Sequence, residues 1–251
     1  MQQYWTLTRR ELGAFFCSVS GYIVLGSATF LLGASFWWIM RQTQGILSEI
    51  PAKDLYWQTW YLWLPLLLET PLITMRLFSV EKFSGTFETL MTAPVSDMQV
   101  VMAKFSAGLF FYLVAWLPWV GCMVAVRYYT GDASPIDWGI VGTTFLGLGL
   151  LGGMFIAAGC CASALTPYQM VAAIISLVFG LTLFFPAYFL AGRIIDETNL
   201  SGKALACFGL VDEMQNFARG IVDTRPIVFL VTATVFFLFL TLRIIESRRW
   251  R

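Results

Sequence analysis

Charge is absent from long stretches of this chain and crowded into short ones. Gly21 to Met40 carries none. Tyr56 to Ser79 is a second apolar stretch, interrupted by Glu69 and closed by Arg76. Phe105 to Val126 lies uncharged between Lys104 and Arg127, and Pro226 to Leu242 between Arg225 and Arg243. Trp138 to Gly192 has no charged residue at all, and Ser163 to Gln169 is the turn it offers. Pro167 breaks the helical pattern there and biases the residue before it out of the helical region. A hydrocarbon core of about 30 Å takes roughly 20 apolar residues as a helix. The pattern therefore predicts six transmembrane helices, two of them within Trp138 to Gly192. No long run alternates apolar and polar positions as a membrane barrel strand would.

Two further segments are amphipathic and too polar to cross. Gln2 to Phe16 sets Trp5, Leu12, Phe15 and Phe16 against Arg9, Arg10 and Glu11, which predicts a helix lying along the membrane surface. Between Gly202 and Asp223, Leu205, Phe208, Met214, Phe217 and Ile221 recur at roughly helical spacing. That predicts a short helix within the loop 193–225.

Composition agrees with the pattern. The 251 residues are 58% apolar and 12% charged, against about 25% charged in soluble chains. A net charge of +1 gives no reason to expect nucleic-acid binding. The cysteines, Cys17, Cys122, Cys160, Cys161 and Cys207, are odd in number and mostly apolar in setting, so they read as packing residues rather than a disulfide framework or zinc site. Histidine is missing, and with it the commonest general base and metal ligand. The first apolar run is longer than the 7–15 residues or so of a signal-peptide core, so the first segment is expected to stay in the mature protein.

With the N-terminus in the cytoplasm, six spans return the C-terminus to the same side. The inner side then collects Arg9, Arg10, Arg76, Lys82, Lys104, Arg243, Arg248, Arg249 and Arg251. The outer side collects Arg41, Lys53, Arg127, Arg193, Lys203, Arg219 and Arg225, of which the last outer loop holds four. Long loops count for less, so the bias favours this orientation. Trp37, Trp38, Trp57, Trp60 and Trp63 fit an aromatic belt at the outer interface.

Few residues advertise chemistry. No G-x-x-x-x-G-K-[ST] loop is present, and Ser201-Gly202-Lys203 lacks the rest of it. Neither H-E-x-x-H nor G-x-S-x-G occurs, so no catalytic residue and no metal ligand is assigned. Glu69 is an ionisable group inside a span, expensive enough to be a functional candidate. It could line a translocation path, or hydrogen-bond a neighbouring helix where Pro65 and Pro71 loosen the backbone. Gly149-x-x-x-Gly153, in a span rich in small residues, reads first as packing within the chain and second as a dimer seam. Asn199-Leu200-Ser201 matches a glycosylation triplet of the kind that arises often by chance.

The densest polar feature is Glu81 to Pro94, EKFSGTFETLMTAP, between the second and third spans. Glu81, Lys82 and Glu88 can face water on a short helix, Gly85 permits a turn, Thr86 can cap a helical turn after it, and Pro94 stops it. Such a segment is a solvated connector at the least. A stiff helix on the cytoplasmic rim can also pass a push from a soluble partner to the two spans it joins.

These residues carry a resemblance. Arg76-Leu77-Phe78, then Glu81-Lys82-x-Ser84-Gly85-Thr86-x-Glu88-x-Leu90-x-Thr92-x-Pro94-Val95-Ser96, resembles the signature of ABC-2-type transporter permeases. The branch it resembles serves gliding motility and nitrous-oxide-reductase maturation. Arg10-Glu11-Leu12-x-x-Phe15-Phe16 resembles that branch's elbow segment, and Phe217 to Asp223, Leu238 to Leu242 and Glu246 to Trp250 resemble its end. Met214 departs from it, standing where the branch pattern has histidine. The resemblance implies a single permease domain over 1–251: an elbow helix at 1–17 and a six-helix region at 18–251, with 193–225 as outer loop and helix. It implies a bacterial inner-membrane protein with both termini cytoplasmic. It also implies a dimer, with a second copy or a related permease, docked to two ATPase subunits that bind ATP and Mg. The coupling residues carried over are Arg76, Glu81, Lys82, Gly85, Thr86, Glu88, Leu90 and Pro94, with Glu81 and Glu88 meeting basic residues of the ATPase. Lys104 is expected to meet lipid phosphates or the partner.

The resulting expectation is the membrane subunit of an ATP-driven exporter or of a force-transmitting ABC complex. Two alternatives stand beside it. A membrane anchor or scaffold for periplasmic partners would use the outer loop. A secondary transporter would show several intramembrane charges and repeated spans, and neither is evident.

Overall fold

The computed structural model describes residues 2–42, 60–87, 95–130, 138–190 and 210–249. Every regular element among them is helical. The helices are α1 (Gln2–Phe16), α2 (Val19–Gln42), α3 (Trp60–Thr74), α4 (Ser79–Ser84), α5 (Asp97–Ala115), α6 (Leu117–Thr130), α7 (Trp138–Leu165), α8 (Gln169–Leu190), α9 (Leu210–Ala218) and α10 (Thr224–Arg249). Five segments are long and apolar enough to cross a bilayer: 19–38, 63–84, 97–128, 138–165 and 224–247. The apolar part of α8, Gln169–Phe185, is shorter. The chain is thus an all-helical, multi-pass membrane protein.

Local chemistry sets several boundaries. Ser18 opens α2, its Oγ accepting the Gly21 N–H at 3.1 Å. Asp223 does the same for α10, accepting the Arg225 N–H at 3.2 Å. α5 begins with a reciprocal cap: the Gln99 N–H donates to Ser96 Oγ at 3.3 Å and the Ser96 N–H to Gln99 Oε1 at 3.4 Å. This cap starts α5 two turns before Lys104, earlier than the uncharged stretch indicated. The helix then breaks at Trp116, because Pro118 has no N–H to continue the ladder. The expected turn at Ser163–Gln169 is found, with α7 ending at Leu165 and α8 starting at Gln169.

The fold centres on α7. Its membrane stretch is 72% buried, against 11% for that of α10, and α3, α5, α8, α9 and α10 all pack on it. Small residues permit this. A Cβ on Gly152 would stand 2.1 Å from the Tyr112 ring of α5, and one on Gly159 would stand 2.2 Å from Thr74 of α3. The packing reading of the small-residue span therefore holds within the chain, although its tight positions are Gly152 and Gly159. Gly149 and Gly153 make only ordinary contacts, at 3.5 and 3.9 Å.

The amphipathic segments fold as predicted helices with different faces inward. On α1, Thr8, Glu11 and Phe15 are buried against the bundle while Trp5 is exposed. Phe15 stacks on Phe111 of α5 at 4.8 Å, and Tyr4 donates to Ser106 Oγ at 2.9 Å. α9 docks on the other end of α7. Thr143 Oγ1 donates to the Phe217 carbonyl at 2.9 Å, and Met214 and Phe217 cover Gly147. Met214 is a core residue there.

Candidate functional site

One end of the bundle gathers α1, the start of α2, the end of α3, α4, the start of α5 and the end of α7. The chain turns at residues 75–78 between α3 and α4, and that turn is fastened from across the molecule. Ser163 Oγ, at the end of α7, accepts the N–H groups of Phe78 and Ser79, each at 3.1 Å, and lies 3.4 Å from the Met75 carbonyl. Lys82 Nζ donates to the Ala164 carbonyl and lies over the Phe87 ring. These bonds satisfy backbone groups that the kink takes out of the helical ladder. They also tie α4 to the end of α7.

A charged cluster ties α4 to two more helices. Lys104 Nζ lies 3.2 Å from Glu11 Oε1 and 3.0 Å from Glu81 Oε1. Arg10 Nη2 lies 2.7 Å from Glu11 and 3.0 Å from Glu81. Two acids on α1 and α4 thus share two bases on α1 and α5. Glu11, through its hydrogen bond and charge, holds the Arg10 guanidinium above its ordinary range, with Glu81 adding to the effect against the cost of partial burial. The Lys104 side chain is only 2% exposed and lies over the Phe78 ring. This corrects the expectation that Lys104 meets lipid phosphates or a partner: the cap at Ser96 winds it into the bundle. It also changes the place of Glu81, which is part-buried and paired within the chain rather than facing water. Exposed ion pairs contribute little. A buried lysine is different, because removing it leaves two part-buried carboxylates short of a cation.

The predicted coupling residues fall into three groups. Arg76, Glu81 and Lys82 are in the fastened base. Arg76 Nη1 meets Ser18 Oγ at 3.3 Å and also Ser20 Oγ. Gly85 and Thr86 are at the exposed tip. Gly85 ends α4 at φ +75°, a left-handed conformation that suits glycine. A Cβ there would meet nothing, so the requirement is conformational. Thr86 Oγ1 lies 2.8 Å from Ser84 Oγ. Glu88, Leu90 and Pro94 lie outside the described residues.

Sequence reasoning missed Phe83, which is 71% exposed at this tip. Its setting among the charged and turn residues of EKFSGT was the available signal. It also missed Ser163, whose role depends on a contact 85 residues away in the chain.

Glu69 is not part of this assembly. It sits within α3, 3% exposed, and among the described residues neither carboxyl oxygen makes a well-formed hydrogen bond. The Trp116 indole, just after α5, is the polar group beside it, and the Trp116 and Trp119 indole nitrogens are likewise buried without a well-formed hydrogen bond among the described residues. Pro65 and Pro71 lie within the same helix. Thr70 and Thr74 hydroxyls donate to the carbonyls of Leu66 and Thr70, at 3.0 and 2.9 Å.

An all-helical, multi-pass membrane protein with a short helix fastened across one end of its bundle is the class these features define. Residues 18–187 match the family described as ABC-2 family transporter protein. That is more than half of the chain, and the chain belongs to this family. No curated protein matches it. Membership implies association with an ABC ATPase.

Proposed function

We propose that this chain is the permease subunit of an ABC-2 transporter, forming with a second permease the translocation unit that separate ATPase subunits drive. Six helices cross the bacterial inner membrane, α8 being the one additional to the five long apolar segments, and both termini are cytoplasmic. ATP and Mg bind the partner, and no hydrolysis occurs in this chain. α4 and the residues after it, from Glu81 to Pro94, form the coupling element. Phe83, Gly85 and Thr86 present its tip, and Glu88, Leu90 and Pro94 extend it. Arg76, Glu81 and Lys82 fix its base. Glu81 acts through its pairing with Arg10 and Lys104, so a push on the tip reaches α1, α5 and α7 together. Glu69 lies beyond the kink and belongs to the moving interior of the translocation unit.

The observation that carries this reading is the family match over 18–187, joined to an exposed tip on a fastened base. Copurification tests it. An ABC ATPase encoded beside this chain is expected to come down with it, and Phe83→Asp to release that ATPase while the permease still purifies as a folded species. A permease that transports in liposomes on an ion gradient, with no ATPase present, would contradict it.

A further inference from the structure

Beside the charged cluster lies a cavity of about 290 Å³, walled by Arg10, Glu11, Arg76, Glu81, Lys104 and Phe15 among others. Three of these are cationic and two anionic, so the polar wall carries a net charge of +1 (three minus two). Arg10 and Lys104 are committed to Glu11 and Glu81. Arg76 is the cation left over: among the described residues it pairs with no carboxylate, and its partners are two serine hydroxyls. A guanidinium held by neutral hydroxyls keeps its charge and its remaining donors for a ligand. Planar, forked donors suit phosphate oxygens.

A second, smaller cavity of about 20 Å³ adjoins the first, sharing Phe15 and Arg76 with it. It is lined by Val24 of α2, Leu72 and Ile73 of α3, and Phe111 of α5. The polar chamber thus has beside it a small apolar pocket, about one water in volume, between α1, α2, α3 and α5. Exposed Trp5, Val19, Tyr22 and Ile23 flank the same region. Trp and Tyr at a helix end are typical of the headgroup level of a bilayer.

We propose that the larger cavity is the headgroup site of a monoanionic glycerophospholipid. The phosphodiester sits against Arg76, and the acyl chains lie on the exposed apolar surface of α2 and α3 beside it, at Tyr22, Ile23 and Leu72. The net +1 wall matches one negative charge, while Glu11 and Glu81 disfavour a more highly charged headgroup. Bound there, the lipid touches α1, α3, α4 and α5 at once and braces the base of the lever. The site requires only that the chain sits in a membrane. It does not depend on an ATPase, and the full chain alone can be tested.

The experiment is native mass spectrometry and thermal unfolding of the detergent-purified, delipidated chain. The additions are phosphatidylglycerol, phosphatidylcholine, or inorganic phosphate. Phosphatidylglycerol is expected to remain bound one to one and to raise Tm, with phosphatidylcholine weaker by about tenfold or more and phosphate without effect. Arg76→Gln is expected to lower phosphatidylglycerol retention by about tenfold, a loss of roughly 1.4 kcal/mol. Leu72→Trp, which keeps every charge and reshapes the exposed apolar surface where the chains lie, is expected to lower it too. The second variant decides the matter if the first does not fold. Arg243→Gln, at the far end of α10, should change nothing. Equal retention of the two lipids, an equal effect from phosphate alone, or full retention by Arg76→Gln and Leu72→Trp would overturn the proposal.

Discussion

Two glutamates, twelve residues apart in the sequence, are buried in opposite ways. Glu81 shares an arginine and a lysine with Glu11, across three helices. Among the described residues Glu69 has no charged partner and no well-formed hydrogen bond, and the Trp116 indole is the polar group beside it. The first arrangement pairs Glu81 Oε1 with two cations, leaving Oε2 without a hydrogen bond among the described residues, and so ties three helices together by charge. The second leaves a polar group at a standing cost inside the membrane. A group kept at such a cost is a candidate for work that stability alone does not explain, in keeping with the placement of Glu69 in the moving interior.

The sharpest way to break this contrast is to disturb the satisfied cluster. Lys104→Met should destabilise the chain by about 3 kcal/mol, because Glu11 and Glu81 are left with only the half-exposed Arg10. Adding Glu81→Gln should recover part of that loss. A strictly additive double variant in detergent unfolding would show that the cluster does not act as a unit.

Packing between α7 and α5 gives a somewhat smaller effect. Gly152→Ala places a methyl group inside the Tyr112 ring, and should cost about 2 kcal/mol. Tyr112→Leu in that background should relieve some of the strain, read as non-additive shifts in Tm.

Glu69→Leu is expected to act in the opposite direction, raising stability by about 1 kcal/mol because it removes a buried polar group that has no well-formed hydrogen bond among the described residues. Transport by the reconstituted complex should fall in the same variant. A destabilised Glu69→Leu protein would place Glu69 with the structural acids. The smallest change in stability belongs to Phe83→Ala, within about 0.5 kcal/mol because the ring is exposed. Its effect should instead appear in a pull-down, as lost ATPase association.

Much of this architecture was legible in the sequence because the membrane imposes a simple rule: apolar runs of helical length must be spans. The surface helix α1, the turn at Ser163–Gln169, the helix at 210–218 and the bend at Gly85 could be read from periodicity and from glycine and proline chemistry. The wiring of the cluster could not. Glu81 read as facing water, and Lys104 as meeting lipid phosphates or a partner, because charge beside a span end usually points outward. Only the packing of α1 on α5, through Phe15 and Phe111, brings Glu11 and Arg10 to them. In the same way, Glu11 belonged to the polar face of α1 by pattern, yet it turns inward because two bases await it. Ser163 gave no local sign, since a serine at a helix end suits solvent equally well.

The central claim is that the tip of α4 meets a cytoplasmic ATPase. Its most direct test is thiol labelling of Phe83→Cys, in a chain whose native cysteines are replaced by alanine, with a membrane-impermeant maleimide. The account predicts no labelling in intact cells, rapid labelling once the inner membrane is permeabilised, and protection when the ATPase is coexpressed. Labelling from outside intact cells, or equal labelling of permeabilised cells with and without the ATPase, would contradict it.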